Sequence, residues 1–435
     1  MTPYRRVWAL AWPIILSNLS VPLVGAVDTA VVGHLPDPRQ IGAVALGSVI
    51  FSFVFWGFGF LRMGTTGLVA QARGQEDHGE VRAILLRALF LAGVLGVGLV
   101  TLQRPIAWAA FALTQGEREL ETLASGYFSV RIWGAPATLA NYAVLGTLIA
   151  LERTRAALLL QLLLNGVNVV LDLVFVPGLG WGVVGVAAAS VVAEMVAAAA
   201  GLALLLPTLP ARGAVHWLDP GRLKSMMVVN VDIFVRTLCL VAAFFHFTAL
   251  GTKLGPLLLA ANAVLMQFQH FLAYGLDGFA HATEALAGRA YGARDALQFR
   301  RFVQAATVWA MAIAALCAVG YGLAGPLLIR LLTDIEGVRE TAYTYLPWVV
   351  ASPLLSIWSF QLDGVFIGTT RTADMRNAML ASLALFELAL WWLVPAWGNH
   401  GLWFSLMLFM VARAISLGLL YPRIARDLAS DRAFR

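Results

Sequence analysis

Long apolar segments recur along the whole chain, and they constrain its fold more than any other feature. Each segment covers about 20 residues or more, the length that a helix needs to cross a hydrocarbon core of roughly 30 Å. The strands of a transmembrane barrel would be about half as long and would alternate in polarity. The composition, with 60% hydrophobic and 12% charged residues, is also unlike that of a water-soluble domain. We therefore predict an all-α integral membrane protein.

The pattern predicts twelve membrane-spanning segments, and this even number puts both termini on one side. Their predicted ranges are 8–33, 41–71, 83–103, 124–151, 154–177, 181–206, 224–252, 258–288, 303–332, 341–369, 374–396 and 400–425. The first range is too long for a signal peptide and has no small-residue cleavage site. Most Lys and Arg residues fall on the N-terminal side of the segments, so the positive-inside rule predicts cytoplasmic termini in a plasma (inner) membrane. The net charge of +6 is then a signal of topology, and no nucleic-acid partner is expected.

The two halves of the sequence are related by an internal repeat. A shift of 218 residues aligns several small residues and an arginine, among them Ala43 with Ala261, Gly57 with Gly275, Thr65 with Thr283, Gly74 with Gly292 and Arg82 with Arg300. Chance likeness between small-residue helices is the less specific explanation. We predict a six-helix lobe at 1–206, a cytoplasmic linker at 207–223 and a second six-helix lobe at 224–435. Halves with an even number of helices would be related by a pseudo-two-fold axis along the membrane normal, with a central cavity between them.

Two aspartates lie at matching depths in the first half of the chain. Asp28 is five residues before the predicted outer end of its helix, and Asp172 is five residues before Pro177. Asn168 and Asn165 precede Asp172 by four and seven residues, so the three share one helix face. Burial and a like-charged neighbour both favour the protonated form of a carboxyl group, so this cluster suits a proton switch. The alternative is that Asp28 only caps the frayed outer end of its helix.

Other polar residues and prolines in the predicted helices have both structural and functional interpretations. Pro13 and Pro22 each remove a backbone hydrogen bond from helix one and predict a hinge there. A polar stripe on helix eight, with charges at similar depth on helices two and ten, either joins the two lobes or lines a cavity of the second lobe: Gln267, His270, Tyr274, Asp277, His281, Glu284, Arg62 and Asp363.

Several further charges lie inside predicted helices. Asp232 and Arg236 are four residues apart on one helix and are expected to pair with each other. The sequence assigns no partner to the remaining intramembrane charges, which are Glu194, Glu387, Arg131 and Arg413.

Motifs for enzyme chemistry are absent from the sequence. It contains no GxxxxGK[ST] loop, so direct use of ATP by this chain is not expected, and no HExxH or GxSxG motif. We expect no catalytic residue and no metal site. An intramembrane aspartic protease is an alternative interpretation of two membrane-buried aspartates, although the GD-containing signature of that class is missing.

Specific short motifs mark both the helices and the loops between them. They include Asp28-Thr-Ala-Val-Val-Gly-His34, Leu61-Arg62-Met63, Leu171-Asp172, Leu276-Asp277-Gly278 and Leu362-Asp363-Gly364. In these motifs, and nearly end to end, the chain resembles the multidrug and toxic compound extrusion (MATE) transporters, in particular the branch named after DNA-damage-inducible protein F. The resemblance implies two six-helix bundles in a V-shaped arrangement, alternating access, and export of lipophilic, often cationic compounds against an inward ion flow.

The resemblance also implies roles for individual residues. Asp28, Asn168 and Asp172 would form the ion site of the first lobe, near Ser190, and Pro13 would mark the bend of helix one. The implied coupling ion is the proton, with sodium as the alternative, and no other cofactor is expected. We expect a monomer in the lipid bilayer that handles small lipophilic or cationic substrates. A lipid-linked precursor flippase is the second hypothesis, but the acidic pocket favours a cationic or neutral cargo.

Overall fold

The computed structural model describes residues 1–35, 37, 39–114, 118–208 and 217–430, and this part of the chain is helical throughout apart from short connections. The α-helices are α1 (Pro3–Gly33), α2 (Arg39–Gly57), α3 (Phe60–Gly74), α4 (His78–Thr101), α5 (Gln103–Thr114), α6 (Arg118–Arg131), α7 (Ala135–Ala150), α8 (Thr154–Leu173), α9 (Gly182–Leu205), α10 (Pro220–Lys253), α11 (Pro256–Gly292), α12 (Ala296–Leu332), α13 (Glu336–Gly368), α14 (Thr372–Trp397) and α15 (Asn399–Ser430). A π-helical turn at Val174–Gly178 follows α8.

Twelve helical segments in the described residues are long and apolar enough to cross a membrane. Each overlaps one of the twelve predicted ranges, so the number and order of the segments are confirmed. Two of them are interrupted helices, since α2 and α3 together form one segment, and α6 and α7 together form another. Residues 209–216 of the predicted linker and 431–435 of the predicted second lobe lie outside the described residues.

The helices group into two compact units. The first unit comprises Leu16–Ala72 and Asp77–Met226, and the second unit comprises Met1–Ile15, Arg73–Glu76 and Met227–Arg435. The second unit therefore includes the first half of α1. There the ring of Trp8 packs against Phe279 and Trp309, with ring centroids 6.1 and 4.9 Å apart.

The backbone conformation repeats at the interval of 218 residues that the sequence predicts. Positive φ angles are uncommon outside glycine. In this chain they recur in three repeat-related pairs, Glu76 (60°) with Arg294 (55°), Glu152 (59°) with Thr370 (52°), and Gly180 (72°) with Gly398 (56°). The N-caps of α4 and α12, Asp77 and Asp295, form a fourth pair, and the carboxylate of each accepts backbone N–H groups of the first helical turn. The internal repeat is thus confirmed in the geometry of the chain.

Small residues allow α11 and α13 to pack closely in the second unit. A Cβ added to Gly364 would lie 2.5 Å from the backbone oxygen of Ala280. A Cβ added to Gly368 would lie 2.6 Å from the backbone oxygen of Glu284. Glycines four residues apart are typical of close helix contacts in membranes, because they let two backbones approach each other.

We expect Gly364→Val to destabilise the protein, because the new side chain meets a helix backbone that cannot move aside. Overpacking of this kind costs about 1–3 kcal/mol, occasionally more. The matched control is Gly320→Val, since a Cβ at Gly320 meets nothing within 4 Å. Thermal unfolding of the detergent-solubilised variants, followed by size-exclusion chromatography, measures both. Equal melting temperatures for the two variants would contradict the close contact.

Candidate functional site

A pair of buried carboxyl groups lies between α1 and α8 in the first unit. Asp28 on α1 is 9% exposed, and Asp172 on α8 is 0% exposed. Their side chains are within hydrogen-bonding contact of each other. Two ionised carboxylates have no proton to donate and repel each other, so the contact becomes attractive when the two groups share one proton. The structure thus brings together the two aspartates that the sequence placed at matching depths.

Asn168 and Ser190 complete this carboxyl site. Asn168 lies one turn before Asp172, is 1% exposed, and donates a hydrogen bond from its amide to the hydroxyl of Ser190 on α9 at 3.3 Å. Among the described residues, four buried acceptor oxygens of the site have no donor: Oδ1 of Asp28, both carboxyl oxygens of Asp172 and Oδ1 of Asn168. Buried acceptors without a partner cost free energy. This set of oxygens is therefore suited to holding a proton or a small cation.

Asn165 lies at a different level from the aspartates. It is seven residues before Asp172, which is about 10.5 Å along a helix at 1.5 Å per residue. Its amide donates to the hydroxyl of Ser20 on α1 at 2.9 Å, and its side-chain oxygen accepts from Gln161 at 2.9 Å. Asn165 therefore joins α8 to α1 away from the carboxyl pair, and the predicted single cluster of four residues divides into two layers.

A buried ion pair lies near the carboxyl site. Arg131, the last residue of α6, donates to both carboxylate oxygens of Glu194 on α9 at 2.8 and 2.5 Å. The hydroxyl of Thr138 donates to the same carboxylate at 2.6 Å, and the amide of Asn141 donates to the backbone oxygen of Glu194 at 3.0 Å. The charge of Arg131 also acts on Asp28. The sequence gave no signal of this pairing, because its partners are 63 residues apart.

Aromatic side chains surround the guanidinium of Arg131. It lies over the ring faces of Phe51 and Phe55, at 5.4 and 5.1 Å from the ring centroids. Phe51 also packs against Phe128 at 5.0 Å and lies 6.2 Å from Tyr127. Such rings exclude water and attract the cation through their π faces. The site therefore combines three carboxyl groups, those of Asp28, Asp172 and Glu194, with one guanidinium in an apolar environment.

The two prolines of the predicted hinge lie inside one continuous helix, α1. The division between the two units falls between them, at Ile15 and Leu16. Residues before this point pack in the second unit, as in the contact of Arg6 with the ring of Phe302 at 5.5 Å. The hinge at Pro13 and Pro22 stays a prediction.

The polar stripe predicted on α11 lies in the second unit and becomes more buried toward the C-terminal end of the helix. Its exposed members come first, the half-buried ones follow and the buried one is last, in the order Gln267, His270, Tyr274, Asp277, His281 and Glu284. Nδ1 of His281 contacts the carboxylate of Glu284 at 3.0 Å. These last two residues therefore satisfy each other, whereas the first two are open to their surroundings.

Asp363 is held by two arginines of its own unit. Arg413 on α15 donates to its carboxylate at 2.6 Å, and Arg236 on α10 contacts the same oxygen. The expected pair of Asp232 with Arg236 is therefore wrong, and Asp232 instead binds Arg376 at 2.5 Å and Thr372 at 2.9 Å. The rule of four-residue spacing describes isolated helices, whereas in a bundle the side chains of neighbouring helices compete for the same groups.

Arg62, which the sequence grouped with Asp363, lies on α3 in the first unit. Its backbone oxygen lies beside Gly146 of α7, where an added Cβ would be 2.5 Å away. Its expected role in joining the two lobes stays a prediction.

Comparisons with known proteins agree with this architecture. A family model described as MatE matches residues 13–174 and again residues 233–393, once in each half of the chain. DNA damage-inducible protein F of Escherichia coli K12 is 40% identical over 429 residues, which cover 97% of this chain and 93% of that protein. A probable multidrug resistance protein NorM of Rhizobium meliloti is 27% identical over 458 residues, covering 99% and 96%.

The fold is also that of solved transporters. A structure described as "Crystal structure of MATE in the bent conformation" superposes with a TM-score of 0.91 at 21% identity, covering 100% of this chain and 98% of the other. The expected all-α fold with twelve transmembrane helices in two six-helix bundles agrees with this similarity. With matches in both halves and over nearly its whole length, the chain belongs to the multidrug and toxic compound extrusion (MATE) family of membrane transporters.

Proposed function

We propose that this protein is a proton-coupled antiporter that exports lipophilic, often cationic compounds by alternating access. The observation that carries the proposal is the contact between the carboxyl groups of Asp28 and Asp172, with buried acceptor oxygens that have no donor. Relatives named as probable multidrug resistance proteins support the substrate class. We place the protein in the inner membrane as a monomer with cytoplasmic termini.

In the proposed cycle, the protonation state of the carboxyl pair sets the position of α1. When both groups are ionised, their repulsion favours separation of the outer half of α1 from α8. A proton taken up at Asp28 from outside turns the repulsion into a hydrogen bond to Asp172, and α1 bends near Pro13 and Pro22. The cavity of the first lobe then becomes smaller and releases the substrate. Coupling requires that the proton and the substrate have different affinities for the two conformations.

The distance between the carboxyl groups favours a proton over sodium. A hydrogen bond between two carboxyl oxygens spans about 2.5–3.0 Å. A bare cation with each oxygen at about 2.3–2.6 Å, the range for Ca²⁺, would hold the same two oxygens farther apart. Glu194 is not available as a further ligand, since both of its carboxylate oxygens accept from Arg131.

We expect a pH gradient, but not an equal sodium gradient at uniform pH, to drive movement of a fluorescent lipophilic cation in proteoliposomes. The reason is that one shared proton satisfies the Asp28–Asp172 contact. Protein-free liposomes under the same gradients give the control. Transport driven by sodium alone would refute proton coupling. Translocation of a lipid-linked precursor that responds to neither gradient would favour the flippase.

A further inference from the structure

A histidine and a carboxylate contact each other between α10 and α14 in the second unit. Nδ1 of His246 lies 2.5 Å from Oε1 of Glu387, and the two side chains are 46% and 40% exposed. The contact is too short to lack a proton, because two bare acceptors repel each other. Neither residue belongs to the polar stripe of α11 or to the cluster around Asp363.

The internal repeat places His246 at the position of Asp28. The shift of 218 residues that relates the helix caps and the positive-φ residues maps Asp28 onto His246 and Gly33 onto Gly251. Each titratable residue is thus five residues before a glycine near the C-terminal end of its helix. His246 therefore lies on α10 at the depth that Asp28 occupies on α1.

The partner helices α8 and α14 have the same register. Both begin at a threonine, Thr154 and Thr372, and both are followed by a glycine with positive φ, Gly180 and Gly398. In this register Asp172 corresponds to Leu390. Glu387 lies three residues before Leu390, which is about one turn earlier on the same helix face. The longer side chain of glutamate helps to bridge this offset and reach the helix that carries His246.

We infer that His246 and Glu387 form a second proton-binding site, the counterpart in the second unit of the Asp28–Asp172 pair. With a neutral imidazole and an ionised carboxylate the pair has one negative charge. Uptake of one proton by the imidazole makes the pair neutral and creates a charge-assisted hydrogen bond. Histidine is the side chain whose charge changes between about pH 5 and 8 in its unperturbed state. Only the role of this site in transport rests on the proposed function.

The charged groups on the surrounding helices have other partners. On α10, Asp232 binds Arg376 and Arg236 binds Asp363. On α14, Asp374 pairs with Arg371. Of the groups on α15, His400 accepts from the indole of Trp348, and Arg413 binds Asp363. The other titratable residues of α10 nearest to His246 are Cys239 and Lys253, each seven residues away. Glu387 is therefore the partner that distinguishes His246 from other histidines of this chain.

The test follows histidine protonation directly in the purified full-length protein in lipid nanodiscs, without substrate or ion gradient. The chain has seven histidines, and the ¹⁵N signal that disappears in His246→Asn identifies His246. We expect this signal to titrate in the wild type. In Glu387→Gln its midpoint should move to lower pH by about 0.5–1 unit, because loss of a neighbouring carboxylate disfavours the imidazolium and the site is partly exposed.

The signal of His400 is the internal control and should be unchanged in Glu387→Gln. A His246 signal that does not titrate between pH 5 and 9, or one with the same midpoint in Glu387→Gln, would overturn the inference. Asp28→Asn should leave the titration of His246 in place. If that variant loses proton-driven export while Glu387→Gln leaves the midpoint of His246 unchanged, the proposed function stands and the second site falls. If export needs no proton but the midpoint moves as expected, the second site stands alone.

Discussion

Asp28→Asn should give a folded protein that no longer exchanges protons for substrate. The asparagine amide can donate permanently to Asp172, so the variant imitates the protonated pair and cannot release a proton. Coupling free energies between two ligands are typically about 1–3 kcal/mol, or about 5- to 150-fold in affinity. We therefore expect proton-driven efflux of a fluorescent cation to fall by roughly one to two orders of magnitude. Asp172→Asn should have the same effect, since it removes the other member of the pair.

The matched control is Asp37→Asn in the loop after α1. The carboxylate of Asp37 accepts hydrogen bonds from Arg39 at 2.9 Å and from the backbone N–H of the same residue at 3.0 Å. These contacts hold the pKa of Asp37 below its ordinary value, and the group is exposed outside the membrane-spanning helices. Its removal should leave efflux unchanged. Wild-type exchange by Asp28→Asn, measured in the same proteoliposomes, would remove the carboxyl pair from the mechanism.

Arg131→Ala should destabilise the first unit by about 3–5 kcal/mol, because it leaves the carboxylate of Glu194 buried without its cation. Glu194→Ala should cost a similar amount, since it strands the guanidinium among aromatic rings. The double variant should cost clearly less than the sum of the two, because no uncompensated charge remains. Unfolding of the purified variants in detergent, combined as a double-mutant cycle, measures this coupling.

Arg39→Ala provides the comparison for this cycle. Arg39 pairs with Glu119 on the protein surface, where both side chains are more than half exposed. Exposed ion pairs contribute about 0–1 kcal/mol. Additive losses in the Arg131 and Glu194 variants, or losses as small as that of Arg39→Ala, would show that the buried pair does not hold α6 and α9 together.

The two units have opposite charge balances although they derive from one repeat. The first unit places three carboxyl groups beside one guanidinium. In the second unit two arginines bind a single aspartate, Asp363. The charge of Asp277 also acts on Arg413. A cation is therefore better accommodated in the first cluster, and the His246–Glu387 pair is the place in the second unit where a proton would remove a negative charge.

The sequence alone predicted the features that depend on the order of residues along single helices. The twelve segments followed from their length, because the thickness of the hydrocarbon core fixes how many apolar residues a helix needs. The matching depths of Asp28 and Asp172 followed by counting residues to the helix ends. The repeat followed from aligned small residues such as Gly57 and Gly275, because both halves keep the same helix lengths and loop conformations.

Only the tertiary structure decided which side chains meet. Arg131 and Glu194, Asp232 and Arg376, and His246 and Glu387 are each separated by many residues, and no local spacing predicts them. Asn165 shares a face with Asp172 but binds α1 at another level. The physical reason is that a partner depends on the rotation of each helix about its own axis and on which helix packs beside it. Periodicity within one segment determines a buried face, whereas the packing of the whole bundle determines what that face contacts.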